Sequence, residues 1–334
     1  MNDNLLSSKD DVSINKKFSL KKENLIYSVN FIDGSPLLKN IEVPTKIRNK
    51  DVQKFYEIIT KAIPDYDFAY MYKNLRTLKI YPIYIVSPKF KGRKVPAYYD
   101  CIKNIIRYTK NTKDEKLPHE LLHMASTYKN DEEKSIFSGF SQSSKIGNNK
   151  MIGRALNEGY TQLLVNRYFN INSRTYLLET LVVTKIENII TKEKMEKMYF
   201  SADLKGLINE LLKYNDEKSI ITFICALDYL SNLYLETDID QDFSLLKKVY
   251  NFVVDFLLEI KIKKIYETEK NLITAVKELR EYAEDFQHKI VDKKTFKNVI
   301  ILDNESLNIK IDNSIKKLKE FYLFNILKYK TYLK

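Results

Sequence analysis

From residue 177 onward, apolar residues recur at a spacing near 3.6, the period of a helix with one buried face. The spacing predicts helices over residues 177–190, 204–214, 219–235, 243–266, 272–286 and 314–333. Residues 299–302 and 307–311 read as short strand-like interruptions. Before residue 177 the pattern is mixed. Residues 78–86 form a β-prone apolar run and 104–108 a shorter one, with a turn-rich basic stretch at 88–96 between them. Two helical patterns follow. One is built on Leu121, Leu122, Met124 and Ala125, the other on Ala155, Leu156, Leu163, Leu164 and Val165. Residues 135–153 separate them and, with Ser138-Gly139 and Gly147-Asn148-Asn149, read as a loop or irregular hairpin. The expected fold is α+β. A mixed α/β lobe (residues 23–176) follows a polar flexible tail (1–22) and precedes a mostly helical lobe (177–334).

The chemistry of the chain concentrates in His119-Glu120-Leu121-Leu122-His123, since only three histidines occur among its 334 residues. Two imidazoles four residues apart on a helix lie on one face, one turn apart, so both reach a single metal ion. Glu120 sits about 100° round the helix, near such an ion without ligating it. The apolar neighbours bury this helix, and buried imidazoles and carboxylates need partners. Glu158 lies inside the next apolar pattern, where it too needs neutralising. Gly159 follows it at a helix-interior position that costs about 1 kcal/mol relative to alanine, as a close helix-to-helix approach would require. Duller readings exist: two solvated histidines, or Glu158 paired with Arg154 four residues earlier.

His119–His123 followed by Asn157-Glu158-Gly159-Tyr160-Thr161-Gln162 resembles the gluzincin class of zinc metallopeptidases, which includes the thermolysin-like enzymes, over about residues 98–165. The resemblance implies a zincin-like fold for the mixed lobe and one Zn²⁺ per chain held by His119, His123 and Glu158. It also implies hydrolysis of a peptide bond by a zinc-bound water that Glu120 activates. Thermolysin-like enzymes carry an aspartate where this chain has Gln162, which accepts a hydrogen bond but bears no charge. Asn157, Gln162 and Glu179 are read as residues supporting the ligands. Such sites usually hold one more donor for the developing oxyanion, a histidine or a tyrosine. His288 reads as an exposed residue at a polar helix end, whereas Tyr168 and Tyr176 follow the ligand helix. Tyr176, three residues before Glu179, is taken as the catalytic candidate. Residues 105–108 are the candidate edge strand for an extended substrate. The rival reading is a catalytically inactive peptidase-like binding protein, against which the retained Glu120 speaks.

Composition bounds the rest. The two cysteines, Cys101 and Cys225, are expected to be reduced thiols. No secretory leader pattern and no run of about 18 apolar residues is visible, so a cytoplasmic protein without a membrane span is expected. The formal net charge is +12; residues 1–118 carry 23 Lys/Arg against 13 Asp/Glu, the remainder 33 against 31. The tightest basic cluster is Lys89, Lys91, Arg93 and Lys94, and no recognisable nucleic-acid module accompanies it. The resemblance implies a peptide or protein substrate as partner, and no specific nucleic acid is expected.

Overall fold

The computed structural model describes residues 41–332 apart from residues 45, 65, 84–88, 91–92, 131–134, 144–150, 172, 174, 236–242 and 292–297. The tail at 1–22 and the side chains of the basic cluster at 89–94 lie outside the described residues.

The chain is α+β, mostly helical with small sheets. Helix α1 (Lys50–Ala62) starts where the Asn49 side chain accepts hydrogen bonds from the backbone of Asp51 and Val52 at 3.0 and 3.2 Å. It buries Val52, Phe55 and Ile59. A short helix α2 (Ala69–Leu75) leads to β1 (Lys79–Ile83). The two-residue strands β2 (Lys89–Phe90) and β3 (Arg93–Lys94) form a hairpin before β4 (Ala97–Asp100) and β5 (Ile105–Thr109). The sheet order is β1-β5-β4, with β5 parallel to β1 and antiparallel to β4. Residues 105–108 are thus the central strand, not an edge. Ile106 and Tyr108 are buried in the core, and each side of the strand is paired, so among the described residues β4 holds the free antiparallel edge.

Helix α3 (Lys113–Ala125) packs on this sheet and buries residues 119–125 without a break. Its last turn is closed by neighbours. The Asn74 amide donates to the carbonyls of Met124 and Thr127, both at 2.8 Å, and the Thr127 hydroxyl donates to the His123 carbonyl at 2.6 Å. Residues 135–153, read as a loop or irregular hairpin, continue from β6 (Thr127–Asn130) into strands β7 (Ser135–Ser138), β8 (Ser141–Ser143) and β9 (Met151–Ile152) of an antiparallel meander, so the hairpin alternative holds and the loop does not. Ser135, Ser138, Ser141 and Ser143 are all buried there. Buried serines give no apolar alternation, which is why the strands were not visible.

Helix α4 (Arg154–Phe169) then crosses α3. It is followed by α5 (Leu177–Ile190), α6 (Lys192–Phe200), α7 (Leu204–Leu211), α8 (Glu217–Leu235), α9 (Phe243–Thr268) and α10 (Leu272–Ala283). A hairpin of β10 (His288–Val291) and β11 (Asn298–Leu302) leads to α11 (Asn304–Tyr332). Residues 307–311 are therefore helical rather than a strand. Leu307, Ile311, Ile315 and Leu318 are buried at helical spacing while Ile309 is exposed, and Asp303 accepts from the Ser306 N–H at 2.7 Å to start the helix. One continuous apolar cluster runs from Val52 in α1 to Leu318 in α11. Among the described residues no helix is long and apolar enough to cross a membrane. Both cysteines are free thiols.

Candidate metal centre

His119, Glu120 and His123 lie in α3, whose first turn carries Asp114 and Glu115 against its positive end. Pro118 surrenders one ladder hydrogen bond a residue before His119, and the helix persists because Leu117, Leu121, Leu122 and Met124 are buried in the main core. Both imidazoles leave the same face, and their Nε2 atoms are 3.0 Å apart. Glu158 reaches in from α4, with Oε2 at 3.1 Å from His119 Nε2 and 3.3 Å from His123 Nε2. A four-coordinate ion bonded at about 2.0–2.1 Å keeps its ligands roughly 3.3–3.4 Å apart. The three atoms thus sit near three corners of a coordination tetrahedron, and the trio is able to hold a metal ion. Glu158 takes these partners and not Arg154, which forms no ion pair with it.

Electrostatics bind the group together. Burial alone would raise the Glu158 pKa, but the two imidazoles outweigh it and hold the carboxyl well below the usual range. Burial would lower the His123 pKa, but Glu158 and Glu120 outweigh it and raise it. Glu120 is 9% exposed; burial raises its pKa against the pull of both histidines, and the Tyr99 backbone N–H donates to it. A metal ion would take over the neutralising role that the imidazolium plays without one.

The remaining residues named from the sequence fall into two groups. Asn157 reaches the centre: its Nδ2 is 3.3 Å from His123 Nδ1, and its Oδ1 accepts from the Phe140 N–H at 3.3 Å. Tyr176 reaches it too, its ring stacked on His119 with centroids 5.6 Å apart and planes 17° apart. Its backbone is left-handed (φ 56°), a strained state for a tyrosine. The Glu158 charge, then burial, then Glu120, hold the Tyr176 phenol protonated far above its usual pKa. Gln162 has no hydrogen bond to either histidine; its side-chain amide lies 2.8 Å from that of Asn166. Glu179 is buried, but its Oε1 accepts from the Ser231 hydroxyl at 2.5 Å, its Oε2 has no hydrogen-bond partner among the described residues, and burial raises its pKa. Tyr168 turns away to Glu196 and Arg167 on the far side of α4. His288 is no helix-end residue; it opens β10, packs against Tyr250 and lies outside the centre.

Gly159 explains how α5 comes so near. A Cβ there would stand 2.5 Å from the backbone carbon and oxygen of Glu179, so any larger residue would push the two helices apart.

Sequence reading missed Asp228. From α8 its carboxylate accepts from the backbone N–H groups of Gly153 and Ala155, both at 2.8 Å, and so caps the helix that delivers Glu158. Gly153 itself is left-handed at φ 77°, and a Cβ on it would strike the Phe140 carbonyl at 2.1 Å. The signal for Asp228 was available: a lone acid inside the apolar run from Ile220 to Leu230 needs a partner for the reason that Glu158 does.

Compared with protein-family models, with curated proteins and with solved structures, the chain matches none.

Proposed function

We propose that this chain is a zinc-dependent metallopeptidase with gluzincin-type ligands that hydrolyses peptide bonds. The observation that supports this best is the meeting of His119 Nε2, His123 Nε2 and Glu158 Oε2 within 3.0–3.3 Å beside the buried Glu120 carboxylate. Two imidazoles and one carboxylate suit Zn²⁺, and three protein ligands leave a fourth position open, as catalytic zinc sites do. A bound Zn²⁺ supplies Lewis acidity, lowering the pKa of a water to about 7 and polarising a carbonyl.

The chain's own side chains supply the rest. Glu120, its pKa raised by burial, accepts a proton from the attacking water and returns it to the leaving amine. Tyr176, held protonated beside His119, donates a hydrogen bond to the carbonyl oxygen as it becomes negative. Asn157 steadies the His123 ring. β4 meets Glu120 through the Tyr99 N–H, and an extended peptide added along this edge would take over that N–H and present its backbone to the centre.

The test is metal content with activity. Protein dialysed against zinc should carry about one ion per chain by plasma mass spectrometry. Glu120→Gln should keep the ion and lose hydrolysis of a peptide library, and Glu158→Ala should lose the ion. Folded protein that retains no zinc, or a Glu120→Gln variant as active as the parent, would remove the proposal.

A further inference from the structure

Arg154 opens α4, one turn before Glu158 on the same stripe of the helix. Residues so spaced have Cβ atoms about 5–6 Å apart, within an arginine's reach of the metal centre. Arg154 is exposed, and among the described residues its guanidinium has no hydrogen bond and no ion pair. Asp228 lies close enough to feel its charge, yet spends both oxygens on the N–H groups of the residues on either side of it. Glu158 is taken by the two imidazoles, and the Glu179 Oε1 by Ser231. Four residues before Glu158, the Arg154 Cβ shares the face of α4 that carries Glu158 to the centre.

An unpaired, exposed guanidinium one helical turn from Glu158 offers a planar fork of donors matched to a carboxylate. We propose that Arg154 binds a carboxylate of the substrate, an acidic side chain or a C-terminal carboxylate, so that the chain selects peptides with an acidic group near the cleaved bond. This rests on the metallopeptidase reading and adds the substrate class to it.

The experiment uses zinc-loaded full-length protein and fluorogenic decapeptides in three sets: neutral and C-terminally amidated, the same with one glutamate scanned through the positions, and neutral with a free C-terminus. The parent should cleave one acidic set with kcat/KM at least tenfold above the neutral amidated set. Which set it is assigns the carboxylate to a side chain or to a chain end. Arg154→Gln should remove that preference and leave the neutral set within about twofold, and Arg154→Glu should favour a lysine at the same position. Anisotropy of the same peptides on Glu120→Gln protein, with and without Arg154→Gln, reads binding apart from chemistry. Acidic preference in binding, abolished by Arg154→Gln, with no cleavage by the parent would sustain the arginine's role and overturn the peptidase reading. Cleavage with no acidic preference, or an equal loss on all three sets in Arg154→Gln, would overturn the arginine's role and leave the peptidase reading intact. Absence of both cleavage and binding overturns both.

Discussion

Asp228→Ala removes the side chain that, among the described residues, caps the helix carrying Glu158. Its carboxyl accepts two backbone N–H bonds at 2.8 Å, from Gly153 and Ala155. Each bond contributes about 1 kcal/mol net, so alanine should cost about 2 kcal/mol where the carboxyl is neutral. Burial pushes its pKa up to about 7, although the two N–H groups and the Arg154 charge pull the other way. An exposed aspartate in the unfolded chain titrates near ~3.9. Between those values the folded chain binds more protons than the unfolded one, so stability falls as pH rises through the window and is lowest above it. Three pKa units correspond to about 4 kcal/mol, which solvent reaching a partly buried side chain reduces to roughly 1–2 kcal/mol.

The cost of Asp228→Ala should therefore be about 2 kcal/mol at pH 5 and under about 1 kcal/mol at pH 8. The chain has no tryptophan, so urea unfolding is followed by far-UV circular dichroism. A shift in midpoint at constant slope is the expected form. A cost that is larger at pH 8 than at pH 5 would refute the reasoning. It would mean that the N–H donors and the positive helix end hold the carboxylate ionised, and that burial is the lesser force.

Asn157→Leu should raise the zinc dissociation constant by about 10–100-fold while the chain still folds, measured by competition with a chromogenic chelator. Gly159→Ala should cost about 3 kcal/mol in urea unfolding, because its methyl would stand 2.5 Å from the Glu179 backbone. Tyr176→Phe should lower kcat by about 10²–10³ with KM and zinc content unchanged, since it removes a donor used only as the oxyanion forms.

The two imidazoles were legible because a four-residue spacing fixes a helix face whatever the surrounding fold. Most helices after residue 177 were legible because their buried positions repeat with the helical period; α6 (Lys192–Phe200) was not among those predicted. Residues 307–311 were misread for a related reason: alternating Leu307, Ile309 and Ile311 fits a strand, and only the exposure of Ile309 shows that two of the three face the core. The rank of β5 in its sheet was not written in its own residues, since pairing order depends on strands elsewhere in the chain. Gln162 was assigned by position in a pattern, but Asn166 one turn later offers its amide a nearer partner than either histidine. Asn157 adjoins Glu158, and one residue of helix rotation brings it within 3.3 Å of His123 Nδ1.

The helical half of the chain takes part in building the centre. Helix α8 sends Asp228 to the start of α4 and Ser231 to Glu179 on α5, so one helix fixes both elements that meet at Gly159. Those two contacts are one helical turn apart on α8, which sets the spacing of α4 and α5 from outside either. Glu158 lies between the capped end of α4 and the Gly159 crossing, one residue from the latter, and has little freedom to leave the imidazoles. Ligand geometry within a few tenths of an ångström is what metal affinity requires. A chain cut after α5 would keep His119, His123 and Glu158 in sequence but lose the α8 side chains that hold the third ligand in place.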